Sequence, residues 1–66
     1  MLLQIGDQFQ QSWTAKPMSF RVLELDRNKN TIKVECTSYE GYSHVETWDD
    51  LDVTEMSFDI GEYEII

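Results

Sequence analysis

Three groups of side chains have residue types and spacing that could do chemistry. Asp49, Asp50 and Asp52 follow Glu46-Thr47-Trp48 and could offer carboxylate oxygens to a hard cation. Cys36 and His44 are the sole members of their kinds, and a Cys–His pair would form if they were adjacent on neighbouring strands. Asp26-x-Asn28-x-Asn30 has the opening spacing of a calcium-binding loop.

Each group has a plainer reading, and that reading is preferred. The calcium-loop pattern fails downstream, because Thr31 stands where glycine is needed and Thr37 where a bidentate glutamate should close the site. Cys36 follows Ile32 and Val34 on the apolar face of a strand, where a thiol packs as a small hydrophobe. No activating cation or second base is identifiable, since Lys33 points to the opposite face of the strand. His44 is expected at a strand edge near water. Three aspartates at the start of a helix suit its free N–H groups and its positive end, so Asp49 or Asp50 is expected to cap. No catalytic residue, metal or cofactor is assigned, and the protein is expected not to be an enzyme.

Two distributions then carry the functional reading. Tyr39, Tyr42 and Trp48 are interleaved with Glu40, Glu46, Asp49 and Asp50 rather than with bases, a pattern suited to basic or proline-rich peptide. Trp48 is expected in the core of so small a domain, with the tyrosines either covering it or facing solvent. Charge is more lopsided still. Residues 1–34 hold all five Lys and Arg against three acids, whereas residues 35–66 hold ten acids and no Lys or Arg. Phosphate-backbone binding needs cations that release counterions, so direct nucleic-acid binding is disfavoured. A field of one sign steers a partner of the opposite sign, beyond what solubility requires.

The elements that must position these groups are short. Sixty-six residues make one domain near the lower limit of independent folding. One cysteine excludes an internal disulfide, no run approaches the length of a membrane span, and Met1-Leu2-Leu3 lacks a basic leader, so a cytoplasmic protein is expected. Residues 5–13 read as a first strand with Ile5, Phe9 and Trp13 on one face. Pro17 breaks it. Met18–Asp26 is a second strand whose phase shifts between Val22 and Leu25, which a β-bulge would explain. Asp26-Arg27-Asn28-Lys29-Asn30 is a turn, and Thr31–Thr37 alternates cleanly with Ile32, Val34 and Cys36 inward, giving an antiparallel hairpin. His44–Trp48 is a fourth strand with His44, Glu46 and Trp48 on one face. A short helix near residues 49–58 is expected to dock an apolar side drawn from Leu51, Val53, Met56 and Phe58. Glu62–Ile66 closes the fold.

Gly6-Asp7-x-Phe9, Val22-Leu23-Glu24-Leu25 before an Asn-rich turn, Glu46-Thr47-Trp48-Asp49 and Gly61-Glu62-Tyr63 follow one another in an order that resembles small SH3-like barrel proteins of phage and mobile-element type. The resemblance implies a mainly β, five-stranded, strongly bent SH3-like barrel with one short helix or helical turn, in a single domain over residues 1–66. It brings no catalytic residues. The expected function is that of a small acidic interaction module docking on a basic protein surface through Tyr39, Glu40, Tyr42, Glu46, Asp49, Asp50, Asp52 and Glu55. A host nucleic-acid-handling protein inhibited by charge mimicry is one such partner. The alternative is a structural or assembly protein that self-associates through a strand edge, with its acids serving solubility alone. On either reading a monomer or weak homodimer is expected in solution.

Overall fold

A computed structural model describes all residues, 1–66. The chain runs β1 (Gln8–Gln11), β2 (Ser19–Asp26), β3 (Thr31–Thr37), β4 (Ser43–Trp48), α1 (Leu51–Asp59) and β5 (Tyr63–Ile65). All pairings are antiparallel, in one sheet of order β4-β3-β2-β1-β5. The fold is therefore small and mainly β, with five strands and one short helix. The sheet is not closed into a barrel, and β4 and β5 form its two edges.

Strand β3 alternates as its sequence requires, with Ile32, Val34 and Cys36 almost fully buried between partly exposed neighbours. Its partner β2 keeps register through Val22↔Val34, then slips by one residue and resumes at Glu24↔Lys33. The bulge at Leu23 reconciles the two phases of β2. It brings Leu25 back onto the inner face opposite Ile32.

Strand β1 is shorter than its apolar spacing suggests. Phe9 is completely buried, but Ile5 and Trp13 are each 69% exposed. Gly6, at φ +93°, turns the chain before the ladder begins. Ladder pairing with β2 covers only Gln8 to Gln10. Spacing alone placed three side chains on one face; pairing supports only the middle one. Leu3 enters the core where Ile5 was expected.

The core consists of Leu3, Phe9, Phe20, Val22, Ile32, Val34, Cys36 and Leu51. Phe9 is its aromatic centre, with ring centroids 5.0 Å from Phe20, 5.2 Å from Phe58 and 5.1 Å from Tyr63. Trp48 is half-buried, edge-on to Phe20 at 5.2 Å, and so packs against the core without entering it. Truncating a buried phenylalanine of this kind to alanine costs about 3–5 kcal/mol, most of what a core of this size supplies.

Helix α1 docks Leu51 and Phe58 on the sheet as expected, but not Val53 and Met56. Leu51, Thr54, Glu55 and the partly buried Phe58 recur at i, i+3, i+4 and i+7 and face the sheet, joined by Ser57. Val53 and Met56 are 52% and 60% exposed. A buried acid in the inward stripe shifts the apparent apolar face by about one residue. That acid, Glu55, has a bidentate partner in Arg27, whose Nη1 and Nη2 donate to Oε1 and Oε2 at 2.9 and 3.0 Å. The same pair binds the backbone of Leu3: Glu55 Oε2 accepts from its N–H at 2.6 Å, and Arg27 Nη2 donates to its C=O at 3.1 Å. Glu55 is thus an internal fastening rather than part of the exposed acidic surface, which removes it from the expected docking set.

The helix start corrects a second expectation. Asp50 occupies the N-cap position, but with ψ at 49° its side chain makes no capping hydrogen bond. Asn30, at the end of the β2–β3 turn, does that job from outside. Its C=O accepts from Leu51 N–H at 3.1 Å and its Oδ1 from Asp52 N–H at 2.9 Å, while Asp52 Oδ1 accepts from Val53 N–H at 2.8 Å. At the other end Gly61, at φ +81°, reverses the chain so that Glu62 N–H reaches Ser57 C=O at 2.8 Å.

Candidate interaction groove and donor cluster

The fold distributes the residues singled out by sequence over two ends of β4. Tyr39, Glu40 and Tyr42 lie on the β3–β4 loop, with Tyr39 58% and Tyr42 78% exposed. Asp49 and Asp50 follow the opposite end of β4, roughly 17 Å away at the rise of a strand. The tyrosines and aspartates therefore do not make one continuous patch.

What the fold does bring together is Trp48, at the end of β4, and Tyr63, at the start of β5. Along with Asp49, Asp50 and Glu62 they wall a groove of about 520 Å³, and Val53, Thr54 and Ser57 of α1 contribute to its lining. Three acids and two aromatic rings face this space, and no Lys, Arg or His does. Tyr63 reports on the local field. Burial chiefly, then the negative charges of Asp50 and Glu62, with Cys36 last, push its phenol above the ordinary value. Glu62 and Tyr63 were not among the candidate residues. The signal available in sequence was the return of the last strand beside the first, which brings residue 63 toward the core aromatics.

Asp52 stands apart from its two neighbours. Its carboxylate accepts from Asn30 Nδ2 at 2.8 Å and from Val53 N–H. Those bonds, Asn30 first, hold its carboxyl below the usual range. It is exposed but engaged in starting the helix.

A second constellation lies on the inner face of β3 and β4. Cys36 pairs directly with His44 and Val34 with Glu46, so Cys36, His44 and Glu46 share one side of the sheet. The thiol sulfur, an imidazole nitrogen and a carboxylate oxygen all lie within 4.8 Å of one another. His44 Nε2 meets Glu46 Oε2 directly, and Trp48 Nε1–H donates to Glu46 Oε1 at 2.9 Å. The indole bond first, then the imidazole, holds the Glu46 carboxyl below its ordinary value. Burial, with a smaller contribution from the Glu46 charge, pushes the Cys36 thiol up to about 11. His44 is half-exposed at the sheet edge. The adjacency follows from register: a hairpin loop over Ser38–Tyr42 that pairs Thr37 with Ser43 must place Cys36 opposite His44.

No helix is long and apolar enough to cross a membrane. The chain matches no protein-family model, and no curated protein or solved structure matches it.

Proposed function

We propose that this protein is a non-enzymatic interaction module of the cytoplasm that docks on a basic protein surface, with the groove between Trp48 and Tyr63 receiving a Lys or Arg side chain. The observation that carries the reading is the groove's lining, two aromatic walls and three carboxylates without a cation. A guanidinium or ammonium group entering it would lie against ring faces and exchange water for Asp49, Asp50 and Glu62. The acidic half of the chain supplies the longer-range attraction that brings such a partner in. Mimicry of nucleic-acid charge against a nucleic-acid-handling protein is a special case of the same chemistry.

The strand order supports the proposed SH3-like relationship. The support is this plan: a four-stranded meander, a helix after β4 and a fifth strand returning to pair with β1, in a sheet that stays open where a closed barrel was expected. In that plan the groove occupies the opening between β4 and β5, lined by the end of one and the start of the other.

The test is binding of an Arg- or Lys-rich peptide to the intact chain, read by titration calorimetry and by Trp48 fluorescence in a Trp13→Phe variant, Trp13 being exposed. Asp49→Lys with Asp50→Lys is expected to abolish binding while leaving the fold unchanged by circular dichroism. Binding that survives this double reversal would sink the reading. Asp52 is left out of the reversal because it holds the helix start.

One observation favours a second reading, self-association through a strand edge. Strand β4 has six residues and no neighbour on its outer side. Sedimentation in high salt separates the two, since edge pairing persists when charge is screened and docking does not.

A further inference from the structure

The docking groove leaves unused the donor cluster on the inner face of β3 and β4. We propose that Cys36, His44 and Glu46 form a binding site for a borderline divalent cation of the zinc class, with three protein ligands and a fourth position open to water at the sheet edge.

Donor type is the first argument. A thiol, an imidazole and a carboxylate match the ligand preferences of zinc and its neighbours, whereas magnesium and calcium take oxygen. Spacing is the second. Tetrahedral bonds of about 2.0–2.3 Å put donors roughly 3.3–3.8 Å apart. The three donor atoms already lie within 4.8 Å. His44 Nε2 and Glu46 Oε2, now in direct contact, must part to admit the ion and bring the set to that spacing; their side chains are 54% and 45% exposed and sit on an edge strand free to adjust. Cys36 is only 1% exposed and is fixed in the core, which makes it the anchor.

The surroundings of the carboxylate are the third argument. Trp48 Nε1–H holds Glu46 Oε1 and leaves Oε2 facing His44 Nε2, so an ion entering between them meets an oriented oxygen. Outer hydrogen bonds of this kind fix metal-ligating groups and tune their affinity. Charge balances without any basic side chain. On binding, the Cys36 thiol gives its proton to solvent, and the resulting thiolate with the Glu46 carboxylate neutralises a divalent ion, with His44 neutral. Nucleophilic use of the same residues is disfavoured by access, since Cys36 is almost fully buried and its burial keeps the thiol protonated.

The experiment is titration of the intact, reduced chain with cobalt(II), followed by displacement with zinc. One equivalent of cobalt is expected to give an intense near-ultraviolet sulfur-to-cobalt band together with visible bands of four-coordinate strength, and zinc should remove both. Cys36→Ser should abolish the sulfur band. His44→Ala, at an exposed position that leaves the core intact, should weaken binding by more than about tenfold, and Trp48→Phe by about tenfold through the freed carboxylate. No sulfur band, or binding indifferent to His44→Ala, would overturn the proposal. So would a weak six-coordinate spectrum that vanishes in Asp49→Asn with Asp50→Asn. Loss of peptide docking in the aspartate reversals leaves the cobalt band in place, so the two readings fail separately.

Discussion

Arg27 and Glu55 form a two-pronged ion pair, at 2.9 and 3.0 Å, that treats Leu3 as though it were the next residue in a strand ladder. One partner accepts the Leu3 N–H and the other donates to its C=O. The pair therefore joins three places distant in sequence: the N-terminal segment, the β2–β3 turn and the middle of α1. Glu55→Ala strips the acceptor from a buried N–H and leaves Arg27 without its partner, and is expected to cost about 2–3 kcal/mol in urea unfolding. Arg27→Ala should cost less, because the guanidinium is half-exposed. A double-mutant cycle should show that the two losses are not additive. Additive losses would mean that the pair contributes packing only.

The same pair sets a pH dependence. Its hydrogen bonds to Arg27 above all, and then to Leu3, hold the Glu55 carboxyl below its ordinary value, and Asn30 does the same for Asp52. A carboxyl with a lowered folded pKa binds its proton more readily in the unfolded chain. The stabilisation is thus fully present above the unfolded value of about 4.3 for Glu and 3.9 for Asp, and is lost as pH falls through the lower folded values. Unfolding free energy is expected to be flat from pH 7 to 5 on account of these groups and to drop below about pH 4. Glu55→Gln should flatten that drop; an unchanged acid limb would contradict the assignment.

Asn30 serves both its own turn and the helix, and substitutions separate the two roles. It sits at φ +57°, where glycine is at ease and alanine is not. Asn30→Gly keeps the turn and loses the side-chain bonds to Asp52, at about 1 kcal/mol. Asn30→Ala loses both and should cost more. Asp50→Ala, at the nominal cap position, is expected to change stability by less than about 0.5 kcal/mol because its side chain caps nothing. A larger loss at Asp50 than at Asn30 would reverse this account of the helix start.

Docking driven by the acidic half should show in its kinetics. Association with a basic peptide is expected to slow steeply between low and physiological salt, while dissociation changes little. Glu62→Gln should raise the dissociation rate, because Glu62 lines the groove. Salt-independent association would argue against steering by this charge.

Much of the sheet is legible in the chain. Thr31 to Thr37 alternates because one face is core and the other solvent, and the slip at Leu23 is visible because apolar residues cannot change faces without an extra residue. The face of α1 is legible at Leu51 and Phe58 but not between them, because Glu55 occupies a core-facing position that only Arg27 makes tolerable, and Arg27 lies 28 residues away. The limits of β1 are hidden for a related reason: Ile5 and Trp13 have apolar side chains but no ladder partners. Of the candidate surface, the sign of the charge is legible and its grouping is not. Whether Asp49 shares a groove with Tyr63 depends on how β4 and β5 lie across the open side of the sheet.

The helix start lent by Asn30 bears on the order in which the protein folds. Nine residues are too few to hold a helix in water alone, and α1 draws the acceptors for two of its first N–H groups from a turn 21 and 22 residues earlier. Those acceptors exist in place only once β2 and β3 have paired around Asn30. The hairpin is thus a template, and helix formation is conditional on it. Mutations in the β2–β3 turn are expected to slow folding, whereas mutations on α1 should mainly hasten unfolding.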